Sequence, residues 1–159
     1  MPIVLYRIDE RLIHGQVVLG WGSQVAPGRY VVVDDDLAAS EWEQDLYRLG
    51  AGDTKTLFVT VDDARRRIEE WRGAPDRSIL LTRSVDAMLR LARGGLLEGV
   101  KVNVGGLHHS PDRTEVLTYL HLTSEDRAKL RALADEGAIV TAQDLPDSHR
   151  VDLRTLLGS

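Results

Sequence analysis

The segment 7–17, with the sequence RIDERLIHGQV, contains the residue types needed to receive a phosphoryl group. The neutral imidazole of His14 is a competent nucleophile near neutral pH. Arg11 and Arg7 can neutralise an incoming anion, and arginine can stabilise the charge that is spread over the transferring oxygens. Gly15 removes a side chain beside the imidazole, which eases the approach of another backbone. His14 alone also fits a solvated surface histidine, whereas its surroundings favour a phosphoryl acceptor.

The position of His14 relative to the predicted secondary structure supports this interpretation. Residues 2–6 are apolar and few enough to form a core strand, and charged residues begin abruptly at Arg7. His14 therefore follows the carboxyl end of a strand, where open α/β sheets bind their ligands. The next helix is expected to begin just after His14, and its first N–H groups would face the same place.

Short apolar runs alternate with amphipathic stretches along almost the whole chain, which predicts strands alternating with helices. The predicted strands cover residues 3–5, 30–33, 56–59, 79–81, 100–104 and 138–140, and residues 118–122 could add an edge strand. The predicted helices cover residues 41–49, 61–71, 85–91 and 125–133. Ser84 and Ser124 are expected to N-cap the last two helices. Repeated strand and helix units imply a single α/β domain over residues 1–159, with a mostly parallel open sheet and helices on both faces.

Parallel strands direct the loops that follow them to one edge of a sheet, so loops distant in sequence are expected to meet beside His14. If the strand order reverses next to the first strand, His14 faces a crevice at that switch point. We expect the loop after the fourth strand to be its nearest neighbour.

Composition narrows the possible functions. A formal net charge of −5 argues against a protein whose whole surface binds nucleic acid or anionic lipid. Disulfides, thiolate nucleophiles and cysteine-ligated metals are excluded because the 159 residues contain no cysteine. The sequence shows no signal peptide and no apolar segment long enough to span a membrane, which predicts a cytoplasmic protein.

The segment RIDERLIHGQV resembles the active-site motif of the IIB components of the mannose/fructose/sorbose family of sugar phosphotransferase systems. The segments VVVDDDLA, ILLTRSVDAMLRLARGG, VKVNVGGLHH and IVTAQDLP follow in the family's order and approximate spacing, so the resemblance spans nearly the whole chain. It implies the sorbose-type IIB fold and a carrier that accepts a phosphoryl group from a phosphohistidine of a IIA partner. The carrier then passes the group to a sugar held by the membrane components IIC and IID. The IIA donor is expected on another chain.

The resemblance also implies roles for individual residues. The phosphorylated histidine of the family motif matches His14, with Nδ1 as the nucleophilic nitrogen. The motif arginine three residues earlier matches Arg11, which would stabilise the phosphoryl group. Asp9 either orients Arg11 or the imidazole, or caps nearby N–H groups. Further residues expected to bind or orient the phosphoryl group are Arg7, Gly15, Gln16, Thr82 and Ser84.

Thr82 and Ser84 could donate hydroxyl hydrogen bonds to phosphate oxygens, although a capping role is favoured for Ser84. Because two proteins must reach His14 in turn, we expect a shallow or lightly recessed site rather than a deep pocket. Positioning and preorganised charge suffice for the transfer, so neither a metal nor a cofactor is implied.

Other polar and aromatic features favour structural or docking roles. Residues 34–36 are acidic and would suit a hard cation, but ordinary strand-end sequence is the favoured interpretation. His108 and His109 would point to opposite faces of an extended chain, which favours a partner-contact loop over a metal site. Gly105 and Gly106 are a weak phosphate-loop signal, because no complete fingerprint surrounds them. Packing in or against the core is expected for Trp21, Trp42 and Trp71.

Two alternative functions remain open. A regulatory or binding protein phosphorylated on His14 would need the same motif without any role in transport. A small hydrolase or nucleotide-binding domain that uses His14 as a base is disfavoured, because neither a GxSxG elbow nor a glycine-rich nucleotide fingerprint occurs. The sugar is selected by the membrane component in this division of labour, and a homodimer or a larger membrane assembly is compatible with the sequence.

Overall fold

A computed structural model of the chain describes residues 2–158, which contain nine strands. The strands are β1 (Ile3–Ile8), β2 (Arg29–Val33), β3 (Lys55–Val59), β4 (Ser78–Thr82), β5 (Lys101–Val104), β6 (Thr114–Leu117), β7 (Leu120–Leu122), β8 (Ile139–Ala142) and β9 (Val151–Asp152). Seven of them form one sheet in the order β3-β2-β4-β1-β5-β8-β9. Its pairings are parallel except that of β8 with β9. The predicted α/β fold with a mostly parallel open sheet is confirmed.

Helices cover both faces of the sheet, as predicted. They are α1 (Gly22–Val25), α2 (Asp35–Ala38), α3 (Glu41–Ala51), α4 (Val61–Gly73), α5 (Val85–Ala92), α6 (Ser124–Asp135) and α7 (Leu153–Leu157), with a π-helical turn at Gln16–Trp21 and a 3₁₀ turn at Arg93–Gly95. Side chains of α4, α5 and α6, including Ile68 and Met88, form one core cluster. Side chains of the π-helical turn, α2 and α3, including Val17 and Leu37, form the other. Within residues 2–158, no helix is both long and apolar enough to cross a membrane.

The strand order places the loop that contains His14 in the middle of one sheet edge. β1 lies between β4 and β5. The chain leaves β1 towards β2 on one side, and after β4 it crosses to β5 on the other, so its direction reverses around β1. The carboxyl ends of β1, β4, β5 and β8 therefore bring four loops to the same edge, where α/β sheets form their sites.

The strand predicted at 118–122 exists in part, but it is not an edge strand of the main sheet. β7 pairs with β6 in a separate antiparallel pair. The hairpin is tied to the loop after β5, because the Leu107 N–H donates to the Tyr119 carbonyl at 3.1 Å and the His121 N–H donates to the Leu107 carbonyl at 2.9 Å. The edge strands of the main sheet are β3 and β9, and β9 has only two residues, which are too few to leave a periodic signal in the sequence.

One of the two predicted helix caps is confirmed. The Ser84 hydroxyl accepts from the Ala87 N–H at 3.1 Å, at the start of α5. The prediction for Ser124 is wrong, because α6 is capped by Thr123. The Thr123 hydroxyl accepts from the Asp126 N–H at 2.8 Å and the Asp126 carboxylate accepts from the Thr123 N–H at 3.0 Å, which forms a capping box. Ser124 is thereby displaced to the first position inside the helix.

The apolar residues of α3 do not all face the core. Trp42 is 68% exposed, which contradicts the packing role predicted for it, while Trp21 and Trp71 are buried as expected. The buried face of α3 is made by Gln44 and Ala51 instead. The Gln44 side-chain amide donates to the Leu37 carbonyl at 2.9 Å, so a polar residue occupies a position where an apolar one was expected.

Candidate functional site

The two ring nitrogens of His14 have different partners. His14 lies between β1 and the π-helical turn, with 16% of its side chain exposed. Its Nε2 is 3.1 Å from Oδ2 of Asp9, and its Nδ1 accepts from the Gln16 backbone N–H at 3.3 Å. An ionised carboxylate only accepts and a backbone N–H only donates, so these partners favour the tautomer with the proton on Nε2. Nδ1 then has a lone pair that points towards the Gln16 N–H.

Asp9 links His14 to two arginines. Its side chain is fully buried, and its oxygens lie 3.1 Å from Arg7 Nη2 and 3.2 Å from Arg11 Nε. Burial alone would raise the pKa of the Asp9 carboxyl, but the hydrogen bond with His14 and the charge of Arg7 lower that pKa well below its ordinary value. Asp9 is therefore a carboxylate. It also accepts from the Arg11 backbone N–H at 3.1 Å, so its hydrogen bonds fit both the orienting and the capping role predicted for it.

Arg7 neutralises Asp9 rather than an incoming anion. Its side chain is fully buried, so the expectation that it meets an approaching anion is wrong, and an orienting role remains. Its guanidinium donates to the Asn103 side chain, and to the Gln143 carbonyl at 2.8 Å and the Asp144 carbonyl at 3.0 Å. Burial lowers the pKa of Arg7, and the charge of Asp9 opposes that effect. These partners hold Asp9 and its counter-ion in one place.

Arg11 is the cation of this cluster that faces solvent. Its side chain is 30% exposed, and its Nη2 donates to Oε1 of Gln16 at 2.6 Å. The Gln16 amide in turn donates to Oδ2 of Asp144 at 3.4 Å. Gln16 therefore contributes its side chain to Arg11 and its backbone N–H to Nδ1 of His14.

The loop after β5 provides the space that the two arginines occupy. A Cβ at Gly105 would overlap the guanidinium of Arg7, and one at Gly106 would lie 2.8 Å from Nη2 of Arg11. These glycines thus allow the close approach of side chains, a role that their weak resemblance to a phosphate loop did not predict. Asn103, which lies just before them, was also missed, although the segment VKVNVGGLHH contains all three.

The loop after β4 supports the site through its backbone. The Asp9 N–H donates to the Thr82 carbonyl at 2.9 Å, which fixes the start of the loop that contains His14. The Thr82 hydroxyl donates to the Ser84 carbonyl at 3.0 Å, and the Ser84 hydroxyl caps α5. The loop after β4 is thus one neighbour among several, whereas the loops after β5 and β8 hold the arginine side chains.

Gly15 occupies open space at the surface. Its backbone is ordinary right-handed helix, with φ −51° and ψ −47°, and a Cβ built on it would meet no atom within 4 Å. Neither conformation nor internal packing requires glycine here. The small residue leaves the side of the imidazole open to another molecule.

The acidic and histidine-rich segments considered as metal sites have other contacts. Asp34 caps α2, and Asp35 accepts from the Val61 N–H at 2.9 Å. His108 Nδ1 lies 3.2 Å from Glu10, and the His109 ring packs edge-to-face on His121 with centroids 5.7 Å apart. Over residues 2–158, no three histidine, aspartate or glutamate side chains come together as a metal site would require.

Comparison with known proteins shows the same family along the whole chain. A family model described as "PTS system sorbose subfamily IIB component" matches residues 3–159. The N-acetylgalactosamine-specific phosphotransferase enzyme IIB component 1 of Escherichia coli is 32% identical over 152 residues, which are 93% of this chain and 94% of that protein. The mannose-specific EIIAB component of Escherichia coli is 30% identical over 99% of this chain, and the match covers 49% of that longer protein.

A solved structure shows the same fold. The IIBSor domain of the sorbose permease from Klebsiella pneumoniae matches with a TM-score of 0.87, over 99% of this chain and 97% of that one, at 23% sequence identity. The predicted sorbose-type fold is confirmed by this match.

Proposed function

This chain belongs to the sorbose-subfamily IIB components of the sugar phosphotransferase system, and from this premise we propose that His14 carries the phosphoryl group. The family is one of phosphotransferase components that act in sugar uptake. A phosphohistidine of a IIA partner is the donor, and a sugar held by the membrane components IIC and IID is the acceptor. The observation that supports this most is the pair of contacts on the His14 ring, in which Asp9 holds Nε2 and Nδ1 keeps its lone pair, 3.3 Å from the Gln16 N–H.

The first transfer forms one N–P bond and breaks another. Nδ1 of His14 attacks the phosphorus, and the electrons of the donor's N–P bond return to the donor histidine. Because Nε2 keeps its proton, the phosphorylated ring is cationic, and the Asp9 carboxylate at 3.1 Å neutralises it. Asp9 thus sets the tautomer before the transfer and stabilises the product after it.

Arg11 and Gln16 stabilise the phosphoryl oxygens in this proposal. When the N–P bond forms, Nδ1 loses the lone pair that accepts from the Gln16 N–H, so this donor can turn to a phosphoryl oxygen. Arg11 is bonded to Asp9 and Gln16, and its exposed part can reach an anion on the neighbouring ring. Thr82 and Ser84 act on the site by positioning the loop after β4, and Gly15 leaves room for a partner.

The second transfer requires that the phosphorylated state is not too stable. A sugar hydroxyl attacks the phosphorus and releases its proton to water, while the N–P bond breaks and its electrons return to Nδ1. Arg7 and Arg11 both form ion pairs with Asp9. The positive charge near the phosphoryl group is therefore partly neutralised. A carrier needs this balance, because binding the intermediate too tightly would slow its onward transfer.

A relative supports the proposed IIA donor. One relative, the mannose-specific EIIAB component of Escherichia coli, is named for an A and a B component in one protein, which supports a IIA donor here. We place this chain at the cytoplasmic face of the membrane, where it meets IIC and IID. Sugar selection is assigned to those membrane components.

Labelling with phosphate tests the acceptor. Wild type, His14→Gln and His109→Gln would be incubated with labelled phosphocarrier proteins and a IIA partner. We expect acid-labile label on wild type and on His109→Gln, and none on His14→Gln. Unchanged labelling of His14→Gln would show that another residue is the acceptor, provided that circular dichroism shows all three proteins folded.

A chase distinguishes transport from regulation. Labelled protein would be added to vesicles that contain cognate IIC and IID, with and without candidate sugars. Transfer of the label to a sugar supports the carrier, whereas label that stays on the protein with every sugar supports the regulatory alternative.

A further inference from the structure

An apolar stripe on α3 faces solvent. It consists of Trp42, Leu46 and Leu49, which are 68%, 57% and 80% exposed. Their spacing places them on one side of the helix, within about 60° of each other at 3.6 residues per turn. Gln44 and Ala51 form the opposite, buried side. The three residues, named here the α3 stripe, therefore take no part in holding α3 to the sheet.

Large exposed apolar side chains are grouped on α3. Five large hydrophobic side chains are exposed in residues 2–158: Leu19, Trp42, Leu46, Leu49 and Ile139. Three form the α3 stripe, and Leu19 lies in the π-helical turn five residues after His14. Single exposed apolar residues are common, whereas a group of them marks an interaction surface.

α3 is packed directly against the loop that contains His14. A Cβ at Gly50 would be 3.4 Å from the Ile13 carbonyl and 3.6 Å from its side chain. Gly50 thus lies close to Ile13, the residue before His14, and Leu49 precedes Gly50 on the helix. A partner that covers the α3 stripe would lie beside the acceptor.

The other side of the His14 loop has a different chemistry. In the strand order, β2 and β3 with α3 lie on one side of β1, and β5 with its following loop lies on the other. On the β5 side, Glu10 accepts from the His108 N–H at 2.7 Å and from Arg113 at 3.2 Å. His108 is 57% exposed, so this side is polar and hydrated. Weak, short-lived complexes use wet polar surfaces, whereas longer-lived assemblies bury apolar residues.

Charge favours a basic partner for the apolar side. Glu41, Glu43 and Asp45 lie on α3, and Arg48 is its one cation. Asp45 and Arg48 pair at 2.9 Å, which leaves a net negative rim on the helix. The cytoplasmic loops of membrane proteins carry an excess of lysine and arginine. A basic cytoplasmic surface with exposed apolar residues would match the stripe and its rim.

We infer that the α3 stripe docks this chain onto the basic cytoplasmic surface of its membrane components, and leaves the polar side of the His14 loop to the soluble donor. The inference rests on the proposed function, since it names the surface used by one of the two proposed partners. It explains how one histidine serves two partners of different kinds.

The test compares removal of the α3 stripe with removal of one exposed apolar side chain elsewhere on the sheet. The variant Trp42→Gln, Leu46→Gln, Leu49→Gln removes the stripe, and Ile139→Gln is the control, because Ile139 is 49% exposed on β8, away from α3. Each protein would be sedimented with inverted vesicles that contain cognate IIC and IID, and with vesicles that lack them. We expect the triple variant to lose about tenfold or more of its specific binding, with labelling by the IIA donor at the wild-type rate.

Each outcome decides the inference. Undiminished vesicle binding by the triple variant overturns it. Slower labelling by the donor with unchanged vesicle binding assigns the stripe to the donor instead, and a change of oligomeric state in sedimentation velocity assigns it to a second copy of the chain. Glu41→Lys with Asp45→Lys should also weaken vesicle binding, and stronger binding would contradict the charge argument. Absence of label from the wild type as well would instead count against the proposed carrier function.

Discussion

At the residue scale, Asp9 is the group on which the site depends. It is buried among Arg7, Arg11 and His14, and its two oxygens accept from all three. Asp9 neutralises the buried Arg7, and in the proposed mechanism it also holds the proton on His14 Nε2. The two roles have separate readouts, namely the free energy of unfolding and the rate of phosphoryl transfer.

The variant Asp9→Asn should be less stable than wild type and should accept the phosphoryl group more slowly. It leaves the fully buried Arg7 without a counter-ion, so we expect the free energy of unfolding to fall by about 3–5 kcal/mol in urea titrations. It also replaces one acceptor oxygen by an N–H donor, which can face the ring and favour the wrong tautomer, so labelling by the donor should slow on the order of 100-fold. Glu10→Gln is the control, since Glu10 is partly exposed and bonds His108 and Arg113. An Asp9→Asn protein as stable as the control would refute this account of Arg7.

The stability that Asp9 provides should resist mild acid. The folded-state pKa of Asp9 is lowered, so its contribution is present above the ordinary carboxyl pKa of about 3.9 and is lost as the pH falls through the folded-state value. The difference in unfolding free energy between wild type and Asp9→Asn should therefore be constant from pH 8 to about pH 5 and shrink only below about pH 4. A difference that disappears between pH 7 and pH 5 would show that a group other than Asp9 is responsible.

At the scale of elements, the loops after β5 and β8 determine where the arginines lie. The guanidinium of Arg7 occupies the space where a side chain at Gly105 would lie, whereas a side chain at Gly15 would meet open space. We expect Gly105→Ala to lower the free energy of unfolding by about 1–3 kcal/mol, because the added methyl group must displace a buried guanidinium. Gly15→Ala is the matched control and should change stability by less than about 0.5 kcal/mol. Equal effects of the two substitutions in thermal unfolding would contradict the close approach.

Secondary-structure elements and contacts between residues close in sequence could be predicted, whereas contacts between distant loops could not. The alternation of apolar runs and amphipathic stretches predicted the sheet, and the motif around His14 predicted His14, Arg11 and Asp9 as neighbours because they are close in sequence. Asn103, Gln143 and Asp144 meet Arg7 across 96 to 137 residues, and no local pattern encodes such contacts. The exposed side of α3 was missed because helical spacing shows that residues share a face, but not whether that face is the buried one.

At the scale of the whole molecule, one sheet edge holds the loop of the proposed acceptor histidine. β1 in the centre fixes the loop of His14, its neighbours β4 and β5 supply backbone contacts on both sides, and β8 supports Arg7. The core lies on both faces of the sheet, so the edge can remain open without loss of packing. An open edge suits a carrier, whereas a base that activates water would need a more enclosed site.

The nitrogen spectrum of ¹⁵N-histidine-labelled protein, before and after phosphorylation by the donor, tests the central claim most directly. Long-range ¹H–¹⁵N correlations distinguish the two ring nitrogens, and His14→Gln identifies the signals of His14. We predict a neutral ring protonated on Nε2 before transfer and an N–P bond on Nδ1 afterwards, with Nε2 still protonated. Phosphorylation on Nε2, or on any of the other histidines, would contradict the account.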